Sequence, residues 1–196
     1  MEEDILEEMQ KYGRFLEKRG LNLSSHSGNM SIRRGDRLYI KRRGAMMGDL
    51  KEEDVVETGV EEDDSGVIIA STEVGVHRAI YKNTSSLAVV HAHTPYAISL
   101  SLVKDEIIPI DDEGKYYLKK VPVLDIEESI GSDEVEKKLP PVLQNYPAAI
   151  VKGHGTFTRG ENLEEAYNWA TVVESICQVI YLVKNLGGDT RKEVDW

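Results

Sequence analysis

The sequence predicts one mixed domain of alternating strands and helices, of the α/β or α+β class. Three observations carry this expectation. The chain has 196 residues, a length that forms a single domain over residues 1–196 and buries its own core without covalent staples. Short runs of strand type recur between segments of helical period. No internal repeat, low-complexity tract or Pro/Ser-rich linker divides the chain.

The elements follow in order. Ile5, Met9, Tyr12, Phe15 and Leu16 recur at helical spacing among charged residues, so residues 2–19 predict an amphipathic helix stopped by Gly20. Met30 and Ile32 alternate with polar neighbours, Arg34-Gly35-Asp36 makes a turn, and Leu38-Tyr39-Ile40 follows: a hairpin over 29–40. Val55–Thr58 and Val67–Ala70 predict two more strands, joined by an acidic turn at Asp63-Asp64-Ser65-Gly66. Ser71-Thr72-Glu73 opens a helix with Thr72 as its cap. Leu87–Val90 is a buried strand running into His91, and Pro95 suits the first turn of a helix reaching about Leu102. Ile107–Ile110 and Val121–Leu124 predict strands around a charged turn at Asp111–Gly114. Asp133–Leu139 is helical, Ala148–Lys152 is a strand, and Val151 to Phe157 forms a hairpin. Residues 162–186 give the longest helix, capped by Asn162 and ended by Gly187-Gly188. The last eight residues are polar and predicted to be loose.

Composition excludes several function classes. The formal charge is −11, from 24 basic and 35 acidic residues. Such a field repels phosphate backbones and anionic lipid, so no nucleic-acid or membrane partner is expected. The apolar run Val179 to Val183 falls far short of the roughly 20 residues of a membrane span. The acidic start Met1-Glu2-Glu3-Asp4 is unlike a secretory signal, and Cys177 stands alone. Both fit a cytoplasmic protein.

The chemistry concentrates in a few places. His91 and His93 flank Ala92 at a strand end, a spacing that puts both imidazoles on one side of an extended chain. His154 sits between two glycines at the end of another apolar strand. Three converging histidines with an open fourth position make the catalytic arrangement of zinc, though other divalent transition metals accept imidazole. Glu73 lies at a helix start, where the dipole favours a carboxylate. Ser71-Thr72 and the stretch Ser24 to Asn29 can present hydroxyls and amides to a small anion. Lys41-Arg42-Arg43-Gly44 is a basic cluster in an acidic chain, either solvated or a counter-charge to phosphate. His77 is four residues past Glu73 and packs beside it or supports it, while His26 belongs to a loop.

The ordered set Gly28-Asn29-Met30-Ser31, Arg43-Gly44, Ser71-Thr72-Glu73, His91-Ala92-His93 and Gly153-His154-Gly155 resembles the class II aldolase/adducin family, most closely its fuculose-1-phosphate aldolase branch. The resemblance spans about residues 4 to 187. It implies a three-layer α/β/α sandwich around a central, mostly antiparallel sheet, and a homotetramer with active sites between subunits. It also implies one zinc ion per subunit on His91, His93 and His154, with Glu73 as the base. Gly28, Asn29, Gly44, Ser71 and Thr72 match positions that hold a substrate phosphate, and Arg43 stands where the family has a threonine. The implied reaction cleaves or forms a small ketose 1-phosphate through a metal-stabilised enediolate, giving dihydroxyacetone phosphate and an aldehyde. A sugar-phosphate dehydratase, a 4-epimerase and a non-enzymatic adducin-like module are the alternatives. The family's tyrosine after Ile108-Pro109 has no counterpart; Tyr116 and Tyr117 either reach a neighbouring site or belong to a strand.

Overall fold

The computed structural model describes residues 3–188; the polar stretch 189–196 lies outside the described residues. Six α-helices and eight strands follow one another as α1 (Glu3–Lys18), β1 (Asn29–Arg34), β2 (Arg37–Lys41), β3 (Val55–Gly59), α2 (Val74–Asn83), β4 (Ala88–Ala92) and α3 (Pro95–Ser101). The second half continues with β5 (Glu106–Ile107), α4 (Asp112–Tyr117), β6 (Val121–Leu124), α5 (Asp133–Leu143), β7 (Ala148–Val151), β8 (Gly155–Gly160) and α6 (Leu163–Asn185). The strands make one sheet in the order β3-β2-β1-β4-β8-β7-β6-β5. Neighbours are antiparallel except for the parallel pair β6–β7.

Alternation along the strands sorts the core into two layers. In β4, Ala88, Val90 and Ala92 face α1 and α6, where they meet Ile5, Met9, Leu16, Leu163 and Ala166. Val89 faces the other way, with Leu38 and Phe157, onto Val76 and Ile80 of α2 and Val135 and Leu139 of α5. A third cluster joins α3, β7 and the far half of α6 through Ala97, Leu100, Ile150, Val173 and Ile180. Helices therefore cover both faces, and the expected three-layer α/β/α architecture is what the chain forms.

Most elements lie where the periodicity puts them, and five differ. Val67–Ala70 is not a strand. Residues Ser65–Ile68 coil into a short 3₁₀ turn. Asp64 drives this: its Oδ1 accepts from Gly66 N at 3.0 Å and from Thr58 Oγ1 at 2.7 Å. The segment does not pair with Val55–Thr58; Ala70 instead makes an isolated bridge to Arg42. The helix after it starts at Val74 with Glu73 in the cap position; Thr72 does not cap it. No side chain caps it; Ser71 Oγ accepts from the N–H of Glu73, just before the helix, at 3.3 Å. The strand expected to reach Ile110 stops at Ile107, since Pro109 has no N–H to donate. The charged turn after it is the helix α4, because Asp111 accepts from Gly114 N at 2.8 Å and caps it. Tyr116 and Tyr117 are thus helical, not strand residues. Helix α5 continues past Leu139 to Leu143, through Pro140 and Pro141.

Glu174, buried in the middle of α6, anchors the N-terminus of α3. Its two carboxylate oxygens accept from Tyr96 N at 2.9 Å and Ala97 N at 3.0 Å. This fixes the chain just beyond His93. Replacing Glu174 with Ala strands both amides in the core. The expected cost is about 2–3 kcal/mol, seen as a melting temperature lowered by about 4–10 °C. A variant that melts within 2 °C of the parent, on the order of 1 kcal/mol or less, would remove Glu174 from this anchoring role.

Candidate active site

The site forms where the edges of β1, β4 and β8 meet the start of α2. Asn29 is paired with His91 across β1 and β4, and His91 with Phe157 across β4 and β8. The His91 ring stacks on Phe157 with centroids 4.0 Å apart and planes at 18°. Its Nδ1 lies 3.2 Å from the Thr156 carbonyl. A ring that donates there leaves the Nε2 lone pair free for a ligand.

His93 sits one residue past β4. Its backbone N–H donates to Asn22 Oδ1 at 3.1 Å, and its Nε2 comes within 3.0 Å of His91 Nε2. His154 occupies the turn between β7 and β8, its ring 4.6 Å from that of His91 and 5.0 Å from that of His93. Gly155 permits this crowding: a Cβ there would lie 2.8 Å from His91 Cε1 and 2.6 Å from the Ala92 carbonyl oxygen. Gly28 has the same use on the other side. Its φ is +71°, and a Cβ would strike Asn22 Oδ1 at 2.6 Å and the His91 carbonyl at 2.8 Å.

Glu73 is buried beside the three rings. Its Oε2 accepts from Asn29 Nδ2 at 2.8 Å and lies 3.4 Å from His91 Nε2. Its Oε1 is 3.8 Å from His154 Nε2 and has no hydrogen-bond partner. Burial pushes the carboxyl up to about 7, against the pull of Asn29 and of the Gly131 backbone N–H. Burial also lowers the imidazoles: His154 to about 4, helped by His93, and His91 well below its ordinary value. His93 is lowered by burial and by the nearby Lys41. The rings are therefore neutral, the form that binds metal.

This donor set fits a divalent cation. One nitrogen from each of the three histidines lies within 4.8 Å of the others. The His91–His93 separation of 3.0 Å is close to the roughly 3.3 Å between two nitrogens bound to one tetrahedral zinc. Glu73 Oε1 is buried and makes no hydrogen bond of 3.5 Å or less, as expected for a cluster whose charge balance is completed by something other than protein.

All ten residues singled out in the sequence line one open cleft of about 580 Å³: Gly28, Asn29, Arg43, Gly44, Ser71, Thr72, Glu73, His91, His93 and His154. Lys41 and His26 line it too. The basic cluster divides. Arg42 turns away to pair with Asp54 at 2.6 Å. Lys41 is buried, its Nζ donating to the carbonyls of His26 at 3.1 Å and Ala45 at 2.7 Å, and burial brings it down to about 8. Asn22 and Phe157 carry no sequence signal: each is an ordinary loop or strand residue until the fold sets it against a histidine. Tyr116 and Tyr117 are not among the residues that line the cleft.

Comparison with known proteins decides the family. Residues 7–181 match the family described as Class II Aldolase and Adducin N-terminal domain. The chain belongs to this family. An L-fuculose phosphate aldolase of Methanococcus maripaludis (strain C5) is 31% identical over 164 residues, covering 82% of this chain and 87% of that one. The crystal structure of L-fuculose-1-phosphate aldolase from Thermus thermophilus matches with a TM-score of 0.88 and 31% identity, over 96% of this chain and 98% of that one. A probable bifunctional methylthioribose-1-phosphate isomerase/methylthioribulose-1-phosphate dehydratase of Nocardia farcinica is 28% identical over 174 residues, 79% of this chain and 31% of that one. No helix among the described residues is long and apolar enough to cross a membrane.

The histidine cluster makes a direct prediction. His154→Ala loses most of the metal that the parent protein retains through gel filtration, measured by elemental analysis. Added zinc raises the melting temperature of the parent, as binding to the folded form must, and leaves that of the variant unmoved. Stoichiometric zinc in the variant would contradict this ligand set.

Proposed function

We propose that this member of the class II aldolase family is a metal-dependent aldehyde-lyase acting on a small ketose 1-phosphate of the fuculose type. It cleaves the sugar to dihydroxyacetone phosphate and an aldehyde, and runs the reverse condensation. One observation carries the reading: the buried Glu73 carboxyl, 3.4 Å from His91 and 3.8 Å from His154 and with Oε1 making no hydrogen bond, shares a cleft with three clustered neutral imidazoles. The L-fuculose phosphate aldolase relatives support the substrate class.

His91, His93 and His154 would hold the cation, with zinc the expected ion. When bound, such an ion supplies Lewis acidity toward the carbonyl and hydroxyl oxygens of the sugar. The chain's own residues do the rest. In the condensation direction, Glu73 Oε1 takes a proton from the hydroxymethyl carbon of dihydroxyacetone phosphate; the electron pair left on that carbon attacks the aldehyde, whose oxygen gains the charge and takes a proton from water. Asn29 keeps Oε2 engaged, so Oε1 is the oxygen free to receive the proton. In the cleavage direction the same carboxyl returns the proton. A carboxyl lifted to about 7 is matched to giving and taking a proton near neutral pH.

The phosphate is assigned to the part of the cleft lined by Gly28, Asn29, Gly44, Ser71 and Thr72. Arg43 adds a guanidinium where a hydroxyl would give only a hydrogen bond. A homotetramer in the cytoplasm, with each site at a subunit contact, is the proposed setting. Dehydration of a sugar phosphate is the second reading, favoured by the Nocardia farcinica relative. It too begins with removal of a proton from a carbon beside the carbonyl, but the electron pair then expels the neighbouring hydroxyl as water instead of attacking an aldehyde.

Glu73→Gln keeps the hydrogen-bonding shape and removes the base. It is expected to retain bound zinc and lose at least ~100-fold in aldol turnover. Assays of the parent for aldehyde, for epimer and for loss of water separate the reactions. Near-normal turnover in Glu73→Gln would take this carboxyl out of the chemistry.

A further inference from the structure

A chain of buried polar groups runs from behind Glu73 into the sheet. Asn29, Ser31, Glu73, His77 and Tyr81 are all buried. Asn29 Nδ2 donates to Glu73 Oε2 at 2.8 Å. His77 Nε2 is 2.5 Å from Asn29 Oδ1, and His77 Nδ1 is 2.6 Å from Ser31 Oγ. Tyr81 OH stands at the far end, 2.8 Å from Ser31 Oγ and 3.0 Å from the Ser31 carbonyl.

The donor inventory gives this chain one direction. A carboxylate only accepts, so the Asn29 amide must turn Nδ2 toward Glu73 and Oδ1 toward His77. An amide oxygen only accepts, so His77 must carry its proton on Nε2. Its Nδ1 then accepts, and Ser31 Oγ–H supplies the hydrogen. Flipping the amide would set its oxygen against the carboxylate. Burial holds His77 neutral, at about 3, which leaves one ring proton and only one tautomer that satisfies both neighbours.

We infer that His77 is a positioning residue for Glu73, acting through the side-chain amide of Asn29. Geometry closes the loop. His77 lies one turn after Glu73, and its backbone N–H donates to the Glu73 carbonyl at 3.0 Å. Helix α2 thus carries both the carboxylate and the ring that steadies its partner. Asn29 is committed on both sides, to Glu73 and His77. Of its side chain, only the second Nδ2 hydrogen remains for a substrate oxygen. A leucine at 77 would fill similar space with no polar group to satisfy; the imidazole is informative because of what it orients.

The inference rests on reading Glu73 as the base, and the test separates the two. The zinc-loaded full-length protein is incubated with dihydroxyacetone phosphate in deuterated buffer without aldehyde, and exchange at the hydroxymethyl carbon is followed by proton NMR. His77→Leu is expected to slow exchange by on the order of 10- to 100-fold, the scale of a misplaced reacting group. Zinc content and KM stay unchanged. His77→Gln, which offers a donor toward Asn29 and an acceptor toward Ser31, restores most of the rate. Unaltered exchange in a folded, zinc-loaded His77→Leu overturns the positioning role. No exchange in the parent protein overturns the base role itself, and the inference with it. Should His77→Leu not fold, the imidazole nitrogen spectrum of the parent decides: a proton on Nε2 is expected, and a proton on Nδ1 refutes the chain's direction.

Discussion

A carboxyl and three imidazoles share one corner of the cleft, where among the described residues no Lys or Arg pairs with the carboxyl, and the rest of the site follows from that. Taking a carboxylate out of water costs roughly several kcal/mol even after relaxation. Glu73 responds as a buried acid must, by holding its proton more tightly. The imidazoles respond in the opposite sense and stay neutral. A divalent ion would reverse both tendencies, since it favours an ionised carboxylate and takes up neutral ring nitrogens. The corner is therefore poorly balanced as protein alone and well balanced around a cation.

The fold builds that corner from strand register. Asn29, His91 and Phe157 form one row across three neighbouring strands. Strand alternation sends all three to the face covered by α2 and α5. A slip of one residue in β1 would place Met30 opposite His91 and bury Asn29 in the apolar layer under α1. The apolar residues of β4 hold the register: Val90 and Ala92 pack with Met9 and Ala166 on one side, and Val89 with Phe157 on the other. Hydrophobic packing thus aims the polar groups. His91 has little freedom left once its ring lies on Phe157 and its Nδ1 meets the Thr156 carbonyl.

Helix α1, the first hairpin and α6 were legible because apolar period, turn residues and caps agree in each. Asn162 caps α6 as its position before the long apolar run implies, accepting from Glu165 N at 2.9 Å. Where local chemistry competed with pattern, the pattern misled. Val67 to Ala70 has strand composition, yet Asp64 bends the chain and leaves Ile68 and Ile69 at 73% and 52% exposure. In the same way Asp111 turned a charged turn into a helix. At the site, histidines, a glutamate and glycine-flanked turns are rare enough types, in a distinctive enough order, to be found by reading. Glu174, Asn22 and Phe157 are not: their parts come from contacts 78, 71 and 66 residues away in sequence (Tyr96, His93 and His91), and no local pattern encodes such a distance. His77 stands between, visible at its helical spacing from Glu73 but silent about Asn29.

Charge completes the account at two length scales. The whole chain carries −11, a field that discourages anions in general. Inside the cleft the sign changes: Lys41 and Arg43 both line it, while Arg42 pairs with Asp54 instead. Buried Lys41 also ties the loop ending at Asn29 to the turn at Ala45. One ammonium thus shapes the pocket wall and sets its potential. A small phosphorylated ligand can be bound there, because at contact distance the local cations act through little solvent while the distant acidic residues are screened by salt. An extended polyanion would have to lie along the acidic exterior as well. The charge distribution of this chain therefore favours a small anion in the cleft over an extended one along the surface.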